Sequence, residues 1–284
     1  MRSLCEVLAD DGSTLQNALS LTAAEARGEV QSLLQHALEV NRAYLLAHPE
    51  HVPDAGQHAA YTKLLRRRLD GEPVAYILGE REFFGLKFRV TPATLIPRPE
   101  TELLVELALA HVRPQGRVLD LGTGSGAIAL AIAHARPDAQ VTAVDISVAA
   151  LDVARQNAHG LGGVNVHFLH SDWFAALDAA CFDLIVSNPP YIAAGDPHLA
   201  RGDLCFEPRT ALASGTDGLD DIRRLIAGAM AHLNAGGWLL LEHGYDQAAA
   251  SRSLLLSHGF DEVFSAMDLA GIERVSGGRC TRQE

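Results

Sequence analysis

The hydrophobic pattern of the first part of the chain is helical. From Leu4 to about Leu78, apolar residues recur at intervals of three and four, which places them on one face of a helix. Two such stripes are clear, and they consist of Val30, Leu33, Leu34, Ala37, Leu38 and of Tyr61, Leu64, Leu65, Leu69. Pro49 and Pro53 interrupt the pattern. The pattern therefore predicts a small all-α domain over residues 1–79.

A different pattern follows in residues 80–98. Aromatic and β-branched residues alternate with polar ones around Gly85, and prolines punctuate the segment after it. Alternation with a period of two is typical of strands, and glycine between two short strands favours a tight turn. We predict a β-hairpin that leads into a proline-marked linker.

From residue 99 onward, strand patterns and helical patterns alternate. Near-continuous apolar runs predict buried strands in RVLDLG, QVTAVDI, NVHFLHSD, CFDLIVSN and GGWLLLEHG. Strand and helix in regular succession imply right-handed crossovers and a doubly wound, mostly parallel sheet. The later segment FDEVFSAMDLAGIERVSGGR indicates two more strands, which suggests an antiparallel pair at one edge. We therefore predict an α/β fold with a seven-stranded sheet over residues 99–284.

Composition and charge narrow the possible functions. With 284 residues, 48% of them hydrophobic, the chain can bury the core of one large domain or of two smaller ones. A formal net charge of −12 disfavours binding of a nucleic-acid backbone over a broad surface, because such binding needs clustered Lys and Arg. We interpret the one dense basic run, Arg66 to Arg68, as the solvated face of a helix. No direct nucleic-acid partner is expected.

Neither export nor membrane insertion is indicated. Acidic residues precede any apolar stretch at the N-terminus, and the apolar segment GAIALAIAHA is too short to span a bilayer. The four cysteines are far apart, with no CxxC pair and no zinc-ligand spacing, and the histidines are scattered. We expect unpaired thiols in a reducing cytoplasm, no metal site and no membrane partner.

The first candidate site is a glycine loop between the first strand of the α/β part and the next helix, in VLDLGTGSGAIAL. Gly122, Gly124 and Gly126 let the backbone turn tightly and approach a ligand, and the helix N-terminus offers free N–H groups. About twenty residues later Asp145 ends the second strand, where a carboxylate can accept hydrogen bonds from both hydroxyls of a ribose. This pair predicts a site for a dinucleotide or another adenosine-containing cofactor.

The spacing of the loop favours one of these ligands. The glycines follow GxGxG, whereas a dinucleotide fingerprint follows GxGxxG, and Asp120 stands directly before the loop. A carboxylate there disfavours a pyrophosphate and suits S-adenosylmethionine, which carries an ammonium group and a sulfonium. Asp172 and Trp173 close the third strand and could supply an acceptor and an aromatic wall for the adenine. For Trp173 alone, core packing is almost as good an explanation.

The second candidate site follows the fourth strand of the α/β part, in IVSNPPYIAAGD. Pro189 and Pro190 have no N–H and end the strand abruptly. If the strand order reverses between the first strand and the fourth, Asn188 lies beside the glycine loop. The Asn188 side-chain oxygen and the Pro189 carbonyl can then accept both N–H bonds of a planar nitrogen, and Tyr191 can stack on its plane. Such a clamp acts mainly by orientation and needs no strong general base.

These motifs, with others along nearly the whole chain, resemble the PrmC/HemK protein-(glutamine-N5) methyltransferases, which modify the glutamine of the GGQ motif in class 1 peptide-chain release factors. The segments that carry the resemblance are GEPVAYILGEREFFGLKFRV, ATLIPRPETE, VLDLGTGSGAIAL, TAVDIS, SDWF, IVSNPPYI, FEPRTAL and LLLEHG. NPPY alone is shared with adenine-N6 DNA methyltransferases, but its combination with the IPRPETE joint and a helical N-terminal domain is specific. The resemblance implies a class I S-adenosylmethionine-dependent methyltransferase fold.

The resemblance also implies roles for individual residues. Its cofactor contacts fall on Gly122, Thr123, Gly124, Ser125, Gly126, Asp145, Trp173 and Asn188. Its substrate-amide clamp falls on Asn188, Pro189, Pro190 and Tyr191, of which we take Asn188, Pro189 and Tyr191 as catalytic. The helical domain, residues 1–79, is expected to help hold the release factor, and residues 99–284 to form the methyltransferase domain. Arg98, Glu100 and Glu102 either line the cleft or form the acidic first turn of a helix.

Two other functions use parts of the same pattern. A methyltransferase acting on an exocyclic amine of DNA or RNA would place a flipped base in the same clamp, although the acidic balance of the chain disfavours it. A non-catalytic nucleotide-binding protein would account for the glycine loop but leaves residues 188–191 unexplained. We rank the release-factor methyltransferase first and the non-catalytic function last.

Overall fold

The computed structural model describes residues 2–162 and 165–281. Its N-terminal part is helical, with α1 (Leu4–Leu19), α2 (Ala23–Leu38), α3 (Arg42–Ala47), α4 (Ala55–Leu69) and α5 (Val74–Leu78). Capping boxes, in which side chain and backbone hydrogen-bond reciprocally, start three of these helices at Ser3, Thr22 and Asp54. The apolar stripes meet in one core, where Leu15, Val30 and Leu34 are fully buried. The helical pattern predicted for this part is therefore present.

The predicted solvated basic face was wrong for Arg68 on α4. Its side chain is only 5% exposed, and its guanidinium forms ion pairs with Glu29 at 2.7 Å and with Asp203 at 3.1 Å. A charge buried this deeply requires partners that compensate its lost hydration. One of these partners comes from Ala200–Phe206, a segment that belongs to the same compact unit as the helices. Helical periodicity could not have revealed a partner so distant in the sequence.

The linker contains a separate two-stranded sheet made of β1 (Glu80–Phe83) and β2 (Leu86–Arg89). The two residues between the strands, Phe84 and Gly85, both have positive φ, 52° and 73°. This backbone belongs to the tight turn that best matches the twist of a hairpin. Phe83 and Phe88 are buried and pack into a core of the α/β part. The predicted hairpin is confirmed.

The rest of the chain alternates helices and strands in the order α6 (Glu102–His111), β3 (Arg117–Leu121), α7 (Ala127–Ala135), β4 (Gln140–Asp145), α8 (Val148–Leu161), β5 (Val166–His170), β6 (Phe182–Ser187), α9 (Asp220–His232), β7 (Leu233–Glu242), α10 (Ala248–Ser257), β8 (Phe260–Met267) and β9 (Glu273–Cys280). The seven strands form one sheet in the order β5-β4-β3-β6-β7-β9-β8. Strands β5, β4, β3, β6 and β7 are parallel, whereas β9 is antiparallel to β7 and to β8. The predicted doubly wound sheet with an antiparallel edge is confirmed.

Helices cover both faces of this sheet. Apolar residues of α6, α7 and the hairpin fill the core on one face, and those of α9 and α10 fill the core on the other. Every residue of α7 from Ala127 to Ala133 is buried, which explains why its sequence is apolar all round. Among the described residues, no helix is long and apolar enough to cross a membrane.

The strand order reverses at β3, which lies between β4 and β6. Leu121, its last residue, is opposite Val144 on one side and opposite Ser187 on the other. In an open α/β sheet, such a reversal leaves a crevice at the carboxyl ends of the strands, and ligands bind there. Both candidate motifs follow strands that end at this crevice.

Candidate active site

The two motifs singled out in the sequence lie side by side. The Ser187 hydroxyl, at the end of β6, donates to the Leu121 carbonyl at the end of β3 over 2.6 Å. The glycine loop begins at Gly122 and the NPPY segment at Asn188, so each starts one residue beyond this pair. The candidate cofactor loop and the candidate acceptor clamp therefore share one crevice.

The loop after β3 has a backbone that glycine alone adopts readily. Gly122, Gly124 and Gly126 have positive φ values of 73°, 57° and 84°. A Cβ at Gly126 would lie 3.0 Å from the Leu130 side chain, whereas one at Gly124 would meet nothing within 4 Å. Gly126 thus permits close packing of the loop on α7, and the space above Gly124 is open to a ligand.

Asp145 holds the loop from the end of β4. Its Oδ2 accepts a hydrogen bond from the Gly124 N–H, and its Oδ1 accepts one from the Ser147 N–H, each at 2.8 Å. Burial raises the pKa of this carboxyl, against the effect of these backbone donors. Each carboxylate oxygen has a second lone pair, so Asp145 can still accept two ligand hydroxyls.

Asp120 is fully buried beneath the loop. Its Oδ2 accepts from the Thr123 hydroxyl at 2.6 Å and from the Ala129 N–H at 3.2 Å, while its Oδ1 has no partner among the described residues. Burial raises the pKa of Asp120 to about 7. One oxygen of this buried carboxyl lacks a hydrogen-bond partner among the described residues, and the loop beside it is open. Such a site suits a ligand with a positively charged group, because the positive charge compensates the carboxylate for the hydration that it loses on burial. The residues present therefore suit S-adenosylmethionine better than a pyrophosphate.

Trp173 forms one wall of the loop. Its backbone has a positive φ of 49°, and its ring lies 3.2 Å from the position that a Cβ on Gly122 would take. The indole N–H donates to Asp221 at 3.2 Å. Asp172 lies at the surface, where it forms an ion pair with Arg224 at 3.0 Å. Trp173 thus packs on the glycine loop and also against the apolar core of one face of the sheet, which agrees with both explanations of it.

The NPPY segment is anchored by its side chains. The Asn188 Nδ2 donates to the Thr101 hydroxyl oxygen at 3.1 Å, and the Tyr191 hydroxyl donates to Glu242 Oε1 at 3.3 Å. Burial raises the pKa of Tyr191 above its usual range, so the side chain is a neutral phenol. None of the hydrogen bonds between described residues ends on Asn188 Oδ1 or on the Pro189 carbonyl. These two oxygens are available to accept from a ligand.

Sequence reasoning assigned no role to three residues that hold the motifs in place. Thr101 and Glu242 contact the NPPY side chains, and Asn157 on α8 donates to the Ser125 carbonyl of the loop at 2.8 Å. A carboxylate at the end of the apolar run LLLE was a signal for Glu242, since carboxylates are rarely buried without a purpose. Nothing in the local pattern distinguishes Asn157 from a surface residue of an amphipathic helix.

Two charged residues of the joint, Arg98 and Glu102, bond to other parts of the protein. Arg98 forms an ion pair with the buried Glu207, and Glu207 also accepts from the Ile96 N–H at 3.3 Å. Glu102 begins α6 and accepts from the Phe84 N–H at 2.9 Å, which ties the helix to the hairpin. Glu100 is exposed in the short turn before α6. Arg98 thus ties the linker to the segment at Glu207, and Glu102 ties the hairpin to α6.

The reversed strand order, the GxGxG loop and the acid at the end of the next strand define a class I S-adenosylmethionine-dependent methyltransferase. The family model described as the methyltransferase small domain matches residues 99–215, and the PrmC N-terminal domain model matches residues 14–79. Chains named release factor glutamine methyltransferase are similar over almost their full length. That of Burkholderia pseudomallei is 56% identical over 273 residues, which cover 93% of this chain and 94% of the relative.

A second relative and a solved structure extend the comparison. The release factor glutamine methyltransferase of Pseudomonas aeruginosa is 49% identical over 280 residues, covering 98% of this chain and 99% of the relative. This chain belongs to the release factor glutamine methyltransferase family. A methyltransferase structure from Pyrococcus furiosus, 20% identical, covers 78% of this chain and all of its own with a TM-score of 0.54, and shows the shared fold.

Proposed function

We propose that this protein transfers a methyl group from S-adenosylmethionine to the side-chain amide nitrogen of the GGQ glutamine in class 1 peptide-chain release factors. The observation that carries the proposal is the pair of available acceptors, Asn188 Oδ1 and the Pro189 carbonyl, beside the glycine loop. An amide NH2 offers two donors in one plane, which matches two acceptors. The proposal also agrees with the names of the relatives.

The clamp orients a nitrogen that reacts poorly by itself. An amide nitrogen is a poor nucleophile because its lone pair is delocalised into the carbonyl. Asn188 and Pro189 hold both N–H bonds, Pro190 keeps the backbone rigid, and the Tyr191 ring covers the amide plane, so that the nitrogen is aligned with the methyl group. When bound, the cofactor would supply a methyl group on a positively charged sulfur, which leaves as a neutral thioether. The amide nitrogen held by Asn188 and Pro189 would lose one of its two protons to water, since the clamp provides no strong general base.

The cofactor is held by the residues around the loop. The backbone of Gly122–Gly126, including Thr123 and Ser125, approaches the ligand, and Asp145 accepts from the ribose hydroxyls. Trp173 and Asn188 border the same space. The helical part, residues 1–79, recognises the release factor, residues 80–98 link it to the methyltransferase domain, and the reaction takes place in the cytoplasm. These assignments follow the family resemblance together with the positions reported above.

The test is a methylation assay on the full chain. Purified protein, S-adenosylmethionine and an unmodified release factor are incubated, and the GGQ peptide is examined by mass spectrometry. We expect the mass to rise by one methyl group, and no change in a release factor whose GGQ glutamine is replaced by alanine. An unmethylated GGQ peptide alongside a methylated base in DNA or RNA would overturn the proposal in favour of a nucleobase amine.

A further inference from the structure

A chain of polar contacts leads from the clamp into the protein. Asn188 Nδ2 donates to Thr101 Oγ1 at 3.1 Å, and the Thr101 hydroxyl lies close enough to Glu242 to lower the pKa of that carboxyl against the effect of burial. The Tyr191 hydroxyl reaches Glu242 Oε1 from the other side. Thr101 is 4% exposed and Glu242 is 1% exposed. Both clamp side chains therefore converge on one buried carboxylate.

We propose that Glu242, acting through Thr101, is a positioning residue that determines which atom of the Asn188 amide, Oδ1 or Nδ2, is directed at the substrate. This inference rests on the proposed function, because it concerns the same clamp. Glu242 holds Asn188 with Oδ1 toward the acceptor group and Nδ2 toward the protein. The clamp then accepts a group that bears hydrogens and rejects one that has only lone pairs.

The direction of each hydrogen bond follows from the chemistry of the carboxylate. An ionised carboxylate can only accept, so the single hydroxyl proton of Thr101 must point at Glu242. The Thr101 oxygen is then left with lone pairs alone, and only the NH2 group of Asn188 can meet it. If the Asn188 amide were rotated by half a turn, Oδ1 would face the Thr101 oxygen with no proton between them.

The orientation of the Asn188 amide determines which substrate groups can bind in the reactive alignment. With Nδ2 held by Thr101, Asn188 Oδ1 accepts from the substrate N–H next to the Pro189 carbonyl. In the rotated amide, Nδ2 would face the substrate NH2, donor against donor, and binding in the reactive alignment would be lost. Glu242 touches neither the cofactor nor the substrate in this scheme. Its effect is confined to the alignment of the reacting nitrogen.

The protonation state of Glu242 controls this direction. The titratable and charged groups that act on it are Tyr191 after β6, Glu100 before α6 and Arg274 on β9, and burial raises its pKa to about 7. A protonated Glu242 has a proton to donate, so it can donate to Thr101 and permit the rotated amide. At saturating cofactor, kcat is therefore expected to rise with pH through about 7.

The test compares the parent protein with one variant that lacks the Thr101 hydroxyl and one that lacks the negative charge of Glu242. Thr101→Val and Glu242→Gln are expected to lower kcat by roughly tenfold to a hundredfold, with KM for the release factor and the Kd for S-adenosylmethionine changed by less than about threefold. Thr101→Ser keeps the hydroxyl and should restore most of kcat. Glu242→Gln should also abolish the rise of kcat near neutral pH. Thr94→Val is the matched control, since Thr94 is equally buried and donates to the Thr91 carbonyl instead.

A second measurement does not depend on activity. The side-chain NH2 of Asn188 gives a pair of signals in 15N NMR, identified by their loss in Asn188→Asp. These signals should shift in Thr101→Val and Glu242→Gln and stay in place in Thr94→Val. Unchanged signals, or a kcat within about threefold of the parent in both variants, would overturn the inference. A parent protein that shows the expected signals but methylates only nucleobases would instead refute the proposed function.

Discussion

The Asn157 side chain donates to the Ser125 carbonyl at 2.8 Å and so joins helix α8 to the glycine loop. The same side chain accepts from the Arg89 N–H at 2.7 Å and donates to the Arg89 carbonyl at 3.0 Å. Asn157 is buried, and its amide thus satisfies backbone groups of both the loop and strand β2. The shape of the cofactor loop depends on a residue that lies about thirty positions further along the chain.

We expect Asn157→Ala to weaken both stability and cofactor binding. The substitution removes three hydrogen bonds and leaves buried backbone groups without partners, which should lower the free energy of unfolding by ~2–3 kcal/mol. The freed loop should raise the Kd for S-adenosylmethionine by about tenfold. Denaturant unfolding and calorimetric titration measure the two effects.

Asn165→Ala is the control for this prediction. Its side-chain NH2 also donates to backbone carbonyls, those of Ala133, Arg136 and Ala139, but at the opposite end of the sheet from the loop. Asn165→Ala should lose stability with an unchanged Kd for the cofactor. Equal weakening of cofactor binding in both variants would show that Asn157 has no particular effect on the loop.

A pair of glycine variants separates backbone strain from contact with Trp173. Gly122 and Gly85 have the same φ of 73°, but a Cβ at Gly122 would lie 3.2 Å from the Trp173 ring, whereas one at Gly85 would meet nothing within 4 Å. Both Gly→Ala changes should cost ~1–2 kcal/mol of stability because of the left-handed backbone. Only Gly122→Ala should also weaken binding of S-adenosylmethionine, measured by calorimetry. A Gly85→Ala variant with the same loss of binding would contradict this prediction.

Asn188→Ala should slow methyl transfer far more than it weakens binding of the cofactor. Without Oδ1 the substrate nitrogen loses one of its two acceptors, so we expect kcat to fall by about a hundredfold or more. The Kd for the cofactor should rise only a few-fold, since the glycine loop and Asp145 are intact. Single-turnover methylation and calorimetric titration test the two parts. Turnover close to that of the parent would exclude the clamp.

The sequence predicted features that depend on local pattern. Strand ends, the positions of Gly122–Gly126 and the break at Pro189 follow from periodicity and from the chemistry of glycine and proline. Right-handed crossovers limit the topologies open to alternating strands and helices, but they do not by themselves make β3 and β6 neighbours. The two motifs could therefore be placed at one crevice only on the condition that the strand order reverses between these strands, and the structure shows that it does.

Contacts between residues far apart in the sequence could not be predicted in this way. Thr101 meets Asn188, and Arg68 meets Asp203, across intervals of 87 and 135 residues. A single threonine in a turn, or an arginine in an amphipathic helix, has the same local pattern whether it is solvated or buried against a partner. Their roles depend on how the elements pack, which periodicity does not encode.

Asp120→Asn should stabilise the cofactor-free protein at alkaline pH. The folded protein holds the pKa of Asp120 at about 7, above its value of 3.8 in a model compound. Between these values the folded state binds more protons than the unfolded state, so the carboxyl makes folding less favourable as pH rises, by up to ~4 kcal/mol. Asparagine is neutral at every pH. The variant should therefore be more stable than the parent at pH ~8, and this difference should shrink toward pH ~5.

The same substitution should weaken cofactor binding, because the charge that destabilises the empty protein is the one that attracts a positive ligand. In the parent, the affinity for S-adenosylmethionine should increase as pH rises through about 7, when Asp120 ionises. Asp145, whose pKa is also raised, is present in both proteins, and its charge contributes to the raised pKa of Asp120, so the difference between their pH profiles reports Asp120 together with this coupling. Calorimetric titration and thermal unfolding across this pH range measure both effects. A variant that is less stable than the parent at high pH, or that binds the cofactor with the same pH dependence, would show that Asp120 is not the carboxylate that pairs with the ligand.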